Sequence, residues 1–139
     1  GNANTSYDVP DVINNSWGSS PNQSFCNFMA GSFAALEAAG VGNIYAAGND
    51  GPNPFTVGLY GGVAVDSLRN FAVGNINATT AAWTINSSSS RGPTVCANNA
   101  PLNIKPEVSA PGTNIRSSVN EAGYSQYTGT SMASPHVSG

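Results

Sequence analysis

Short apolar runs alternate along the chain with loops rich in Gly, Asn and Ser, and their spacing predicts the secondary structure. Residues 11–17 form a first apolar run that Gly18 closes, which predicts a short buried strand. From residue 25 to residue 39, apolar side chains recur near the helical period, and Gly40 and Gly42 follow as stop signals. The chain is therefore predicted to begin with a strand and then a helix.

Further strands and a hairpin are predicted downstream, at residues 43–47, 71–76, 108–110 and, for the hairpin, 115–128 with its turn at 120–123. Residues 52–70 are rich in Gly and Pro and are predicted to be irregular, and the serine run at 87–90 is by itself typical of a flexible linker. A last helix begins at Ser131 and continues to Gly139. This order predicts an α/β fold with a mostly parallel sheet, flanking helices and a C-terminal antiparallel hairpin.

The composition narrows the possible functions. Of the 139 residues, 40% are hydrophobic, enough for a core, but only 8% are charged, far below the roughly 25% usual in soluble domains. The net charge is −3 and no cluster of Lys or Arg occurs, so we expect no nucleic-acid partner. No apolar run approaches the roughly 18 residues of a membrane helix, so we expect no membrane partner either.

The two cysteines, Cys26 and Cys96, have a spacing that fits no metal motif, and the chain contains a single histidine. We therefore expect no metal site and no cofactor. An even cysteine count, few lysines and many Asn and Ser residues favour a secreted, extracellular protein. In that environment we predict a disulfide between the two cysteines; the alternative is a pair of free, buried thiols.

The most informative segment is residues 129–136, Gly-Thr-Ser-Met-Ala-Ser-Pro-His, where a strand is predicted to pass into a helix at Ser131. A serine at a helix start is usually a simple cap. Here, however, its neighbours Gly129, Ala133 and Ser134 are small, which leaves room for a substrate to approach. The helix N-terminus also directs N–H groups toward the same point, so a nucleophile there could stabilise a developing oxyanion.

These eight residues closely resemble the nucleophile motif of the subtilisin family of serine proteases. Three further regions resemble the same family in the same chain order, namely residues 12–18, 46–51, and 89–93 with 105–112. The resemblance extends over nearly the whole chain, from about residue 12 to Gly139. It implies a partial subtilisin-like fold and a serine endopeptidase that hydrolyses peptide bonds in a protein or peptide substrate through an acyl-enzyme.

The resemblance also implies roles for individual residues. Ser131 would be the nucleophile, the side-chain amide of Asn49 would donate to the oxyanion, and the hydroxyl of Thr130 would assist. The substrate would bind along two segments and one glycine, Ser16-Trp17-Gly18, Ala46-Ala47-Gly48 and Gly58. The first segment would pair with the substrate backbone as an added strand, the second would form a wall of the specificity pocket, and Gly58 would lie at its floor.

The catalytic Asp and His of the family are missing from this chain. His136 follows Ser131 by five residues, about 500° of helical turn, so the two side chains do not share a face and His136 is expected to be structural. In subtilisins the Asp and the His precede the Ser in the chain. Residues 1–139 are therefore expected to be the C-terminal part of a catalytic domain, inactive alone, whose partner is the missing N-terminal half.

That expectation has a structural consequence and leaves two alternatives open. The first strand would lose its neighbour and become an open edge through which the chain could self-associate. One alternative is a non-catalytic, protease-like binding module; intact Ser131, Asn49 and Thr130 argue against it. The other is a sedolisin-type protease, which uses an Asp as oxyanion donor, and Asn49 argues against that.

Overall fold

Four parallel strands form the centre of the structure, a computed structural model that describes residues 9–63, 70–96, 104–120 and 123–139. They are β1 (Val12–Asn15), β2 (Gly42–Ala46), β3 (Phe71–Asn77) and β5 (Val108–Pro111), and a short strand β4 (Thr84–Ile85) completes the sheet. β1 pairs with β2, β2 with β3, and β3 with β5, all in parallel, while β4 pairs antiparallel with the end of β3. The predicted mostly parallel sheet is confirmed.

Helices cover the two faces of this sheet. Helix α1 (Cys26–Ala38) follows a short 3-10 turn at Gln23–Phe25, and its Phe33 packs with Tyr45 of β2. The terminal helix α3 (Thr130–Ser138) packs on the other face, where its Ala133 contacts the cluster that contains Ile44. Neighbouring residues of a strand point to opposite faces. The adjacent positions Ile44 and Tyr45 therefore serve two separate hydrophobic cores.

A disulfide joins Cys26 at the start of α1 to Cys96, with the two Cα atoms 5.2 Å apart. Both residues are buried in the hydrophobic cluster beneath α1. The predicted disulfide is therefore confirmed, and it connects the helix to a loop 70 residues further along the chain.

The predicted hairpin is present as β6 (Ile115–Val119) paired antiparallel with β7 (Gly123–Tyr127); residues 121–122 of its turn lie outside the described residues. Two small elements escaped the sequence pattern, the four-residue helix α2 (Leu59–Gly62) and β4. α2 lies in the stretch that its Gly and Pro content had marked as irregular. Its buried Leu59 joins the cluster beneath α1, so tertiary contact offsets the low helix propensity of its glycines.

The serine run is not a flexible linker. Ser89 and Ser90 have exposures of 0% and 1%. The Ser89 hydroxyl accepts a hydrogen bond from the Asn75 N–H at 3.0 Å, and the Ser90 hydroxyl accepts one from the Asp50 N–H at 3.1 Å. The small polar side chains that make serine common in linkers here satisfy buried backbone groups.

β1 lies at one end of the sheet and, among the described residues, pairs only with β2. Val12 is 40% exposed, so β1 is less buried than its apolar sequence predicted. Self-association through this edge stays a prediction. None of the helices in the described ranges is long and apolar enough to cross a membrane.

Candidate active site

A cavity of about 450 Å³ opens where β1 and β2 end and α3 begins. The carboxyl ends of parallel strands commonly form such crevices. Nine of the residues singled out in the sequence line it, namely Ser16, Trp17, Gly18, Ala46, Gly48, Asn49, Gly58, Thr130 and Ser131. Residues separated by more than a hundred positions in the chain are thus brought to one point.

Ser131 is the second residue of α3, and the first turn of that helix leaves one donor available. The Thr130 N–H is bonded to the Asn49 side chain, and the N–H groups of Met132 and Ala133 are bonded to the Gly129 carbonyl. Among the described residues the Ser131 N–H has no acceptor. It lies at the positive end of the helix dipole, beside the Ser131 hydroxyl.

The orientation of the Asn49 amide follows from its partners. Its Oδ1 accepts hydrogen bonds from the Thr130 N–H at 2.9 Å and from the Thr130 hydroxyl at 3.1 Å. Because a backbone N–H can only donate, the amide atom facing Thr130 must be the oxygen. The Asn49 Nδ2 group is therefore directed away from Thr130, and no acceptor occupies it among the described residues.

Pro135 determines how Ser131 is attached to β1. A helical residue at this place would donate its N–H to the Ser131 carbonyl, but proline has none. The Ser16 hydroxyl donates to that carbonyl instead, at 2.9 Å, and the Ser131 hydroxyl donates to the Ser16 carbonyl at 3.2 Å. One turn later, the Ser134 hydroxyl donates to the Asn14 side chain at 2.6 Å. Helix α3 is thus hydrogen-bonded both to β1 and to Ser16, the residue that follows it.

Two glycines line the cavity at places where a side chain would collide with a neighbouring atom. Gly48 has a φ of 109°, and a Cβ there would lie 2.7 Å from the Ser90 hydroxyl oxygen. A Cβ on Gly58 would lie 2.9 Å from the Ser19 carbonyl oxygen. Neither position accepts a side chain without a shift of its surroundings.

Trp17 lines the cavity and belongs to an aromatic cluster with Tyr45 and Tyr60. Trp17 is 56% exposed, and its ring contacts Tyr45 and Tyr60 edge-on at centroid distances of 5.6 Å and 4.8 Å. Burial raises the pKa of Tyr45, and the nearby Tyr60 raises it further, so Tyr45 stays neutral in the physiological range. The cluster is therefore an uncharged, packed support for the Trp17 ring.

Two predicted positions lie away from the cavity. The side chain of Ala47 is fully buried with Val57 and Ala72 and faces the core, although its carbonyl accepts the Gly58 N–H at 2.9 Å. His136 is exposed on α3, and its Nδ1 is bonded to the Met132 carbonyl at 2.8 Å. His136 therefore makes a contact within its own helix.

The sequence analysis did not single out four other lining residues, Ser19, Ser20, Asp50 and Gly61. Asp50 follows Asn49 directly, and its place in the chain was the only signal that could have indicated it. Gly61 belongs to α2, which the sequence pattern missed. Among the residues that the structure describes, no group of three or more His, Cys, Asp or Glu side chains could hold a metal ion.

A family model and two related proteins show which family this chain resembles. A family model described as the subtilase family matches residues 4–139. Bacillopeptidase F from Bacillus subtilis (strain 168) is 38% identical over 136 residues, which is 94% of this chain but 8% of that protein. Subtilisin-like protease 10 from Arthroderma otae is 36% identical over 107 residues, 76% of this chain and 22% of that protein.

Solved structures resemble this chain in fold as well as in sequence. S41 Psychrophilic Protease superposes with a TM-score of 0.70 at 35% identity, and Sphericase with a TM-score of 0.71 at 30% identity. Each match covers 91% of this chain and 40% of the other chain. The chain thus spans less than half the length of these proteins.

Proposed function

This chain belongs to the subtilase family, and from that premise we propose that it is the nucleophile-bearing, C-terminal part of a secreted serine endopeptidase domain. Ser131 attacks the scissile carbonyl and forms the acyl-enzyme, which water then hydrolyses. One observation carries the proposal. Asn49 and Ser131 line the same cavity, and among the described residues the Asn49 Nδ2 group and the Ser131 N–H have no acceptor.

These two donors form the proposed oxyanion hole. When Ser131 attacks, the carbonyl oxygen gains negative charge that a neutral amide and a helix N-terminal N–H can stabilise. Thr130 keeps the Asn49 oxygen occupied, so Nδ2 is held ready before the substrate arrives. The donors need no reorganisation during the reaction, which is the source of their catalytic effect.

The proposed mechanism needs a general base that these 139 residues do not contain. His136 is the single histidine, and its Nδ1 is bonded to the Met132 carbonyl. The Ser131 hydroxyl donates to the Ser16 carbonyl, which cannot take its proton. A serine hydroxyl without a base is a weak nucleophile. We therefore infer that a segment outside these residues supplies the His and its Asp, and that the isolated chain is inactive.

The proposal is tested in a chimera in which this chain replaces the matching 40% of Sphericase, so that the rest of Sphericase takes the place of the segment that we infer to supply the His and the Asp. We expect the chimera to hydrolyse peptide substrates and Ser131→Ala to abolish the activity. Asn49→Ala should lower kcat by about 10²–10³ with little change in KM, because the donor acts mainly in the transition state.

Asn14→Ala is a matched control, because it also removes an amide that bonds α3 but lies outside the cavity lining. A folded chimera that binds peptides without hydrolysing them would support the binding-module alternative. If Asn49→Ala loses no more kcat than Asn14→Ala, Asn49 is not the oxyanion donor.

A further inference from the structure

The serine run at residues 87–90 has the composition of a linker, but it lies against the loop that carries Asn49. The Ser90 N–H donates to the Gly48 carbonyl at 3.0 Å, and the Ser90 hydroxyl accepts from the Asp50 N–H at 3.1 Å. Gly48 and Asp50 are the two neighbours of Asn49 in the chain. Ser90 therefore holds the backbone on both sides of the proposed oxyanion donor.

The contact between the serine run and this loop is close. Ser90 is 1% exposed, and a Cβ on Gly48 would lie 2.7 Å from the Ser90 hydroxyl oxygen. Further along the loop, the Gly51 N–H donates to the Ser88 carbonyl at 2.9 Å, and a Cβ on Gly51 would overlap the Ser89 carbonyl oxygen. Glycines permit this approach because they have no Cβ. The loop thus has little room to shift while the serine run stays in place.

On its other side the Asn49 loop is bonded to α3. The Thr130 N–H donates to Asn49 Oδ1 at 2.9 Å, and the Gly48 N–H donates to the Thr130 hydroxyl at 3.1 Å. The serine run is bonded in turn to β3, because the Asn75 N–H donates to the Ser89 hydroxyl at 3.0 Å. The loop therefore lies between α3 and a serine run that the central sheet holds in place.

We propose that Ser90 is a positioning residue for the oxyanion donor, and that its hydrogen bonds to Gly48 and Asp50 set the place of Asn49 relative to Ser131. This inference rests on the proposed peptidase function and adds to it a residue that does not line the cavity. An oxyanion donor acts only where the charge develops, so a small displacement of the loop lowers the rate while substrate binding changes little. The alternative is that Ser90 contributes to stability alone.

Two adjacent serines provide the first test. Ser90→Ala removes the hydroxyl that accepts the Asp50 N–H. Ser89→Ala is the matched control, because Ser89 is equally buried and its hydroxyl also accepts one backbone N–H, but from Asn75 in β3. In the Sphericase chimera we expect Ser90→Ala to lower kcat by about tenfold with KM nearly unchanged, and Ser89→Ala to lower kcat by less than about twofold.

Asn49→Ala separates positioning from stability. In that background no amide remains to be positioned, so the addition of Ser90→Ala should lower kcat further by less than about twofold. The inference is overturned if the effect of Ser90→Ala on kcat persists undiminished in the Asn49→Ala background. Equal losses of kcat in Ser90→Ala and Ser89→Ala would overturn it as well.

Amide hydrogen exchange of the chain tests the same inference without hydrolysis. The Thr130 N–H reports on Asn49, because it donates to Asn49 Oδ1. Ser90→Ala should speed the exchange of this N–H by about fivefold, which corresponds to the loss of one hydrogen bond, whereas Ser89→Ala should not. Unchanged exchange at Thr130 in Ser90→Ala would refute the role of Ser90.

The unmodified chain decides the question if Ser90→Ala does not fold. The N–H groups of Asp50, Gly51 and Thr130 should then exchange through one common opening of the loop. If Thr130 stays protected while Asp50 and Gly51 exchange, the loop does not control Asn49 and the inference fails. Absence of hydrolysis by the unmodified chimera would refute the peptidase proposal, while the exchange result would still show whether Ser90 places Asn49.

Discussion

Thr130 offers the sharpest test of how the site is held together. Its side chain is fully buried, and its hydroxyl accepts the Gly48 N–H at 3.1 Å and donates to Asn49 Oδ1 at 3.1 Å. Thr130→Val keeps the volume and removes both hydrogen bonds. Each is worth about 1 kcal/mol net, so we expect the free energy of unfolding to fall by about 2 kcal/mol, including the cost of an unpaired Gly48 N–H.

The effect on catalysis is separate from the effect on stability. Without the Thr130 hydroxyl, Asn49 Oδ1 keeps only the bond from the Thr130 N–H, so the amide is held by one hydrogen bond instead of two. In the Sphericase chimera, Thr130→Val should therefore lower kcat by about tenfold and leave KM nearly unchanged.

Thr130→Ser is the matched variant, since it keeps the hydroxyl and loses only a buried methyl group, at a cost of about 1 kcal/mol. It should retain kcat. Urea unfolding of the chain and steady-state kinetics of the chimera measure the two effects. Equal kcat for Thr130→Val and Thr130→Ser would refute the idea that the hydroxyl positions Asn49.

Two further predictions concern stability. Replacing Cys26 and Cys96 together by Ala should lower the free energy of unfolding by about 4 kcal/mol, since the disulfide closes a loop of 70 residues; a loss below about 1 kcal/mol in urea unfolding would contradict this. Burial lowers the pKa of Lys105 below its ordinary value of 10.5, although Glu107 opposes the shift. As pH rises from neutral toward 10.5, Lys105 therefore loses its proton in the folded chain before it does so in the unfolded chain, and deprotonation favours folding. The free energy of unfolding of the unmodified chain should rise over this range relative to that of Lys105→Met. A difference between the two proteins that does not change with pH would exclude this.

Local signals in the sequence were sufficient for the central elements. The apolar pattern predicted α1 and every strand except β4 within a few residues, because burial on one face of a helix or strand leaves a regular pattern. The segment from Gly129 to His136 predicted the start of α3 from local signals, because a glycine precedes the helix and small residues occupy its first turns. The subtilisin-like fold, the parallel sheet and the hairpin were therefore predictable, and the disulfide was predicted from an even number of cysteines in a chain expected to be secreted.

Tertiary structure decided the details of the site. The orientation of Asn49 depends on Thr130, 81 residues away, and the anchoring of Ser131 depends on Ser16, 115 residues away. No local propensity encodes such contacts, because the pairing of β1, β2 and β3 sets which loops meet. The same register turns Ala47 toward the core, buries Ser89 and Ser90, and brings Asp50 to the cavity. The sequence identified the candidate residues, and long-range packing decided which of them line the cavity and which hydrogen bonds fix their side chains.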